Sequence, residues 1–317
     1  MSQGNSSVSV TRENLKYFAQ FVYLVPGVLF QLRILIVIWG THNKIYLKSS
    51  FFTIWSLDSL VSLVQMFLDV SFTRIHIYFP QLCEGFSVFL EIHWMIPNIV
   101  YPIFYLYAFT AKSVIHSFLS INRASCVLMP TKYAYIWRSH MKKVIVFILL
   151  YPFLLLWNVI ISEKYLDFIF GGFVISYIKR VPWASLSKFQ IISYVFTFSV
   201  TLVTNSITLS KMAKLKKRLL MAERHLCVAT AWISSGFVIS LIAQAHFAFF
   251  RGDHELVEIF YIIQCVSFDL LNVGSPIVMI TLSRELRNHV FLINPSPVVS
   301  RSTSTFNNKN NISILIQ

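Results

Sequence analysis

With 317 residues, 56% of them hydrophobic and only 13% charged, the chain lies far from a soluble domain, in which about 25% are charged. A net charge of +14 invites a nucleic-acid partner, but the charge is gathered on alternate loops of an apolar chain, which argues against one. That length holds one integral membrane bundle and leaves no room for a second.

The first sixteen residues are polar and contain Asn5-Ser6-Ser7, a glycosylation acceptor pattern. Apolar stretches then cover 17–40, 51–72, 94–121, 144–162, 189–210, 226–250 and 259–282. A helix needs about 20 such residues to cross a hydrocarbon core roughly 30 Å thick. Soluble helices keep a polar face, so seven such stretches predict an all-α bundle of seven transmembrane helices within a domain spanning 1–292. The run at 17–40 is too long for the core of a cleavable signal and is expected to insert as its own signal. Pro26, Pro97, Pro102, Pro152 and Pro276 fall inside stretches and can kink them. Most loops are short, which favours antiparallel neighbours. The exception contains 165–178, aromatic and β-branched residues around Gly171-Gly172, too short to span. It predicts a hairpin over the mouth of the bundle or an interfacial helix. Leu282, Leu286, Val290 and Ile293 then recur at helical spacing and predict a short amphipathic helix on the inner membrane surface. The tail, 293–317, is rich in Ser, Thr and Asn and is expected to be disordered.

Charge sets the orientation. Segments 41–50, 123–143, 211–225 and 282–317 together hold 17 Lys and Arg against two acids, Glu223 and Glu285. Segments 1–16, 73–93, 163–188 and 251–258 hold 8 against eight acids. The positive-inside rule places the first set in the cytoplasm and the N-terminus, with Asn5, outside. The basic face is suited to anionic membrane lipids and an intracellular partner. Of the four cysteines, only Cys83 lies in an outer segment, so Cys83, Cys126, Cys227 and Cys265 are expected to be free thiols. No Cys/His spacing fits a metal, and no catalytic set or phosphate-cradling loop is present, so neither cofactor nor enzymatic reaction is expected.

Ionisable groups inside spans are costly and face the bundle interior. Arg33, Asp58, Lys112 and Asp269 stand out. At 1.5 Å per residue they lie about 10 to about 20 Å from the inner membrane face. Two cations and two acids at similar depth predict one neutralised network, joined by Asn272 a turn from Asp269. In the outer half of the third span, Asn98, Tyr101 and Tyr105 share a face below Trp94. Gln244 and His246 on the sixth span and Gln264 on the seventh lie at similar height. If these faces converge, they form an apolar pocket with a few polar anchors, the usual form of a small-molecule site. Such residues also serve as interhelical glue.

At the inner end of the third span Asn122-Arg123 is followed by Cys126-Val127, Pro130, Tyr133 and Ile136-Trp137. An acid or amide before Arg, with Pro seven residues on, resembles the Asp-Arg-Tyr motif of G-protein-coupled receptors. The longer string is similar to that of the nematode serpentine receptors of class gamma, a chemoreceptor family. Ser50-Phe51-Phe52 before Asp58-Ser59, Arg74 before Tyr78-Phe79-Pro80, Leu82-Cys83, and Trp157-Asn158 before Ile161-Ser162 agree with it. The resemblance covers about residues 15–292. It implies a receptor for a small chemical ligand in the plasma membrane of a chemosensory neuron, coupled to a heterotrimeric G protein or similar partner. Asn122, Arg123 and Pro130, with Lys214, Lys216, Lys217 and Arg218 after the fifth span, are then the coupling residues. The sequence departs from the wider superfamily in several ways. Asn122 stands where the acid is usual, Asn272 to Pro276 lacks the following Tyr, and the second outer loop has no cysteine. A seven-helix ligand-gated channel subunit, with its N-terminus inside, and a transporter are the rival readings. The charge count disfavours the first, and the absence of an internal repeat disfavours the second.

Overall fold

The computed structural model describes residues 10–79, 96–169, 172–212, 217–250 and 254–291. Helix α1, Val10–Leu35, runs on through the wider turns of Ile36–Thr41. Helix α2, Ser50–Leu68, runs on through Asp69–Arg74 and Ile75–Tyr78. A widened segment, Ile96–Leu106, leads into α3, Tyr107–Leu128. Helices α4, Pro130–Ile161, α5, Leu186–Met212, and α6, Lys217–Phe249, follow. Helix α7, His254–Asn272, resumes as Gly274–Leu282, and the short α8 is Arg284–Val290. Between α4 and α5, β1, Glu163–Ile169, pairs antiparallel with β2, Gly172–Ile178, from Glu163 opposite Ile178 to Ile169 opposite Gly172.

Six of the long helices are apolar enough to cross a membrane by length and composition. The remaining long helix, through α3, buries Thr110, Lys112, Ser113, His116, Ser117, Ser120 and Asn122, which lowers its mean hydropathy. It packs most extensively against α5, α2 and α4 and so sits at the centre. The chain is thus a multi-pass helical membrane bundle.

Several sequence boundaries move, with α1 beginning at Val10 rather than at 17 and α6 at Lys217 rather than at 226. The predicted loop at 123–143 is largely helix, because α4 begins at Pro130 rather than at 144. Proline at the first helical position has its φ already set and lacks an N–H that would be unpaired there anyway. The second stretch does not end at 72 but continues to Tyr78, through a π-type turn over Asp69–Arg74. In such a turn residues five apart come into register, and the Arg74 Nε donates to Asp69 Oδ2 at 2.5 Å across that spacing. The hairpin, one of the two forms the sequence allows at 165–178, is the one adopted. The amphipathic helix is α8, with Leu286 and Val290 buried.

Polar seams run between the helices. Ser113 meets Ser193 at 2.7 Å, Ser117 meets Thr197 at 3.1 Å and Ser120 meets Thr201 at 3.2 Å, joining α3 to α5 at successive turns. Small hydroxyl residues permit this close approach in lipid and satisfy one another across it. The main apolar core lies toward the end of the bundle that carries Asn122. It includes Ile34, Ile38, Trp55, Ile115, Leu119, Trp137, Met279 and Leu286.

Candidate functional site

The hairpin roofs the opposite end. Asn158 near the end of α4 holds the chain after β2. Its Nδ2 donates to the carbonyls of Val181 at 3.1 Å and Ala184 at 2.5 Å, and its Oδ1 accepts from the Val181 N–H at 3.2 Å. The Ser162 hydroxyl accepts from the Arg180 N–H at 3.2 Å. Phe173 stacks on His76 with ring centroids 4.9 Å apart. Gly172 makes this approach possible, because a Cβ there would lie 2.0 Å from the His76 carbonyl oxygen.

Beneath the roof is a cavity of about 150 Å³, walled by Tyr101, Tyr105, Phe109, Phe173, Phe247 and Phe268 among others. Gln190, Gln244 and Gln264, from α5, α6 and α7, also line it. Gln190 and Gln244 are 2% and 3% exposed. Among the described residues, no protein group hydrogen-bonds these three amides. Asp167 of β1 and Lys179 just after β2 stand at the wall.

Of the seven pocket residues expected from sequence, Tyr101, Tyr105, Gln244 and Gln264 converge here. Asn98 is half-buried and is not among the lining residues. His246 is turned away and stacks on Phe260 with centroids 4.0 Å apart. Trp94 lies outside the described residues. Sequence reasoning missed Gln190 and the inward face of β2. Gln190 carries the same signal as Gln244, an amide within an apolar run.

The single network expected for the buried charges separates into two. In the first, Arg74 bonds Asp69 and also Asp269, at 2.5 Å from Nη2 to Oδ1. Its Nη1 donates to Gln20 Oε1 at 2.9 Å, and the Tyr23 hydroxyl donates to Asp269. The Tyr105 hydroxyl donates to Asp69 Oδ1 at 3.0 Å, so a wall of the cavity is tied to this cluster. In the second, Lys112 bonds Asp58 at 3.1 Å and the Ser62 hydroxyl at 2.6 Å, and His116 Nε2 lies 3.3 Å from the same Asp58 oxygen. Lys112 therefore pairs with Asp58 and not with Asp269, whose partner is the Arg74 that the charge count assigns to an outer loop. Arg33 belongs to neither cluster. Its Nε donates to the Val290 carbonyl at 3.1 Å and fastens α8 to α1. Asn272 also stands apart, and only its carbonyl accepts, from Gln31 Nε2 at 2.9 Å.

At the far end, Asn122 closes a triangle with Ser50 and Tyr133. Its Nδ2 donates to the Ser50 hydroxyl at 2.8 Å, its Oδ1 accepts from the Tyr133 hydroxyl at 3.0 Å, and those two hydroxyls are 2.7 Å apart. Trp137 Nε1 donates to Ser125 at 2.7 Å. The spacing from Asn122 to Trp137 thus clasps α3, α4 and the start of α2. The Arg123 guanidinium lies 4.7 Å from the Phe51 ring centroid, within cation–π range. Pro130 is exposed at the first turn of α4. Asn5, Lys214 and Lys216 lie outside the described residues, as do the side chains of Lys217 and Arg218. Cys265 is a free thiol, Cys126 is half-buried near the end of α3, and Cys83 and the side chain of Cys227 lie outside the described residues.

A family model described as Srg family chemoreceptor matches residues 17–290. Serpentine receptor class gamma-4 of Caenorhabditis elegans is 99% identical over 317 residues, all of both chains. Serpentine receptor class gamma-5 of the same organism is 47% identical over 88% of this chain and 86% of its own, and class gamma-3 is 40% identical over 88% and 83%.

Proposed function

This chain belongs to the Srg family of chemoreceptors, and on that premise we propose that it binds a small chemical cue in the cavity beneath the hairpin and signals to an intracellular partner. The partner is a heterotrimeric G protein or a protein of similar role. The observation that supports the ligand site is the cavity itself: about 150 Å³, with aromatic walls and three amides that no group among the described residues hydrogen-bonds. A largely apolar pocket with a few convergent polar groups is the usual form of a small-molecule site. The hairpin end and the N-terminus face outward and the Arg123 end faces the cytoplasm, a placement supported by 17 basic residues against 8 on the two sets of loops. The receptor sits in the plasma membrane of a chemosensory neuron. It acts as a receptor, not as an enzyme.

Signalling is a shift between two helix arrangements, biased by the ligand's differential affinity for them. Tyr105 touches the cavity and Asp69 at once, so a ligand against Tyr105 bears on the Arg74 cluster that joins α1, α2 and α7. Arg123 couples to the partner, together with the basic run Lys214, Lys216, Lys217 and Arg218 of the sequence. The test is a screen of small volatile and water-soluble compounds on cells expressing the full chain, with second messengers and membrane current recorded together. Gln244→Leu should abolish the response to an active compound at unchanged surface abundance, and Arg123→Ala should reduce it likewise. Full responses in Gln244→Leu, Gln264→Leu and Tyr101→Ala would move the ligand elsewhere. Current without a second messenger would favour a channel. An N-terminal tag reached by antibody only after permeabilisation would reverse the orientation.

A further inference from the structure

The chemistry of the cavity narrows the ligand. We propose that it selects an uncharged, flat, single-ring compound whose neighbouring atoms carry a hydrogen-bond donor and an acceptor, such as a lactam or a cyclic amide. This rests on the ligand site proposed above.

Size sets the first limit. A dry engineered cavity of about 150 Å³ holds benzene, and this one has a volume of about 150 Å³. One ring with small substituents fills it. Shape sets the second. Tyr101 and Tyr105 stand nearly parallel, with centroids 5.4 Å apart and planes 21° apart, and Phe109 and Phe268 also line the space. Aromatic walls favour flat guests through offset stacking.

Charge sets the third limit. Arg74, the buried cation linked to the cavity wall through Asp69 and Tyr105, is already held by two carboxylates. Asp167 and Lys179, both on the roof, bear opposite signs. Those two charges offset each other, so an ionised acid or amine would enter with no net counter-charge to meet it, and a poorly paired buried charge is strongly unfavourable. Hydrogen bonding sets the last. Each glutamine amide offers an NH₂ and a carbonyl, and Gln190 and Gln244, 2% and 3% exposed, have no hydrogen-bond partner among the described residues. A guest that displaces water from these amides without bonding them leaves them unpaired at the full desolvation penalty. A guest with an adjacent N–H and C=O answers one amide on both atoms, whereas a hydrocarbon of the same outline answers none.

Full-length protein in lipid nanodiscs can be probed by saturation-transfer NMR with 2-pyridone, toluene, benzoate and benzylammonium. 2-Pyridone should bind at least tenfold more tightly than toluene, and the two ions should give no specific transfer. Gln244→Leu should weaken 2-pyridone at least tenfold and strengthen toluene. Gln190→Leu and Gln264→Leu should move the preference in the same direction, so the result does not depend on one variant folding. Phe109→Trp, which fills the space, should remove the transfer. Tighter binding of benzoate, benzylammonium or toluene that Phe109→Trp removes would overturn the ligand class and leave the site standing. Transfer from none of the four, or transfer that Phe109→Trp leaves intact, would overturn the site and the class together.

Discussion

The two ends of the bundle are built on opposite principles. Under the hairpin there is about 150 Å³ of space and three amides with no hydrogen-bond partner among the described residues. Around Arg123, between Trp55, His116, Phe237 and Met279, there is about 10 Å³, and one water needs about 10–15 Å³. There Asn122, Ser50 and Tyr133 satisfy one another. One end is open to a guest as it stands. The other is packed as a core and must rearrange before a partner can enter between its helices. Between them lie the two ion clusters, both anchored on the α2 helix, so that element is placed to carry strain from one end to the other.

The comparison breaks most completely at Arg74. Without its guanidinium, Asp69 and Asp269, 4% and 8% exposed, lose their common counter-charge. Breaking a buried pair costs about 3–5 kcal/mol, a large share of a typical domain's stability. Arg74→Met should nearly eliminate folded protein at the cell surface, and adding Asp69→Asn with Asp269→Asn should restore part of it. Normal abundance of the single mutant would show that ions do not hold the hairpin end. Lys112→Met should cost less, about 3 kcal/mol, because His116 remains 3.3 Å from Asp58. Its loss of abundance should be partly recovered by Asp58→Asn and not by Asp269→Asn. Recovery by Asp269→Asn would rejoin the two clusters into one.

How these charges sort was only half legible in the sequence. Lys112 and Asp58 are conspicuous because each interrupts an apolar run, and the structure brings them to 3.1 Å. Arg74 is hidden for a different reason. A hydropathy boundary drawn at 72 leaves it in a loop, and Asp69 at the margin draws no notice. The π-type turn that carries both back into the bundle exists because they pair across it, so no local pattern announces it. The seven helices were legible because period and length are local properties. The convergence of Tyr101, Tyr105, Gln244 and Gln264 was legible from their common height, but the contribution of Gln190 and the turning away of His246 depend on helix rotation, which packing decides. The string from Asn122 to Trp137 was legible as a motif, and its clasping geometry was not.

Gly172→Ala tests the roof alone. The new Cβ would press on the His76 carbonyl at 2.0 Å, and overpacking of this kind costs about 1–3 kcal/mol. The hairpin should lift, so amide exchange across 163–178 should quicken and ligand responses should weaken, while exchange around Asn122 stays as it was. Equal loosening at both ends would mean the ends are not separate units. Asn122→Ala tests the closed end. It leaves Ser50 and Tyr133 with one bond between them, at a cost of about 1–3 kcal/mol. Basal second-messenger output should rise if closure of that end restrains signalling, and unchanged output at normal abundance would sever closure from signalling.

The smallest expected effect sharpens the closed end at its margin, where α8 docks. His289 stacks on His42 with centroids 3.9 Å apart and shares a 2.7 Å hydrogen bond with the Tyr46 hydroxyl. Burial first, and then the neighbouring His42 charge, hold its imidazole below the ordinary 6.5, while Glu285 pulls the other way. A histidine with a lowered native pKa binds fewer protons folded than unfolded, so stability rises with pH between the two values. The docking of α8 is therefore complete above about 6.5 and weakens as pH falls through the lower native value. Arg33 still holds the Val290 carbonyl throughout, so the helix should loosen rather than detach. Amide exchange across 284–290 should be faster at about pH 5.5 than at about pH 7.5, values that bracket the imidazole range, after correction for intrinsic rates. His289→Phe keeps an aromatic face and removes the proton site, and its profile should be flat. A pH dependence that survives this change would place the sensitivity in a group other than His289.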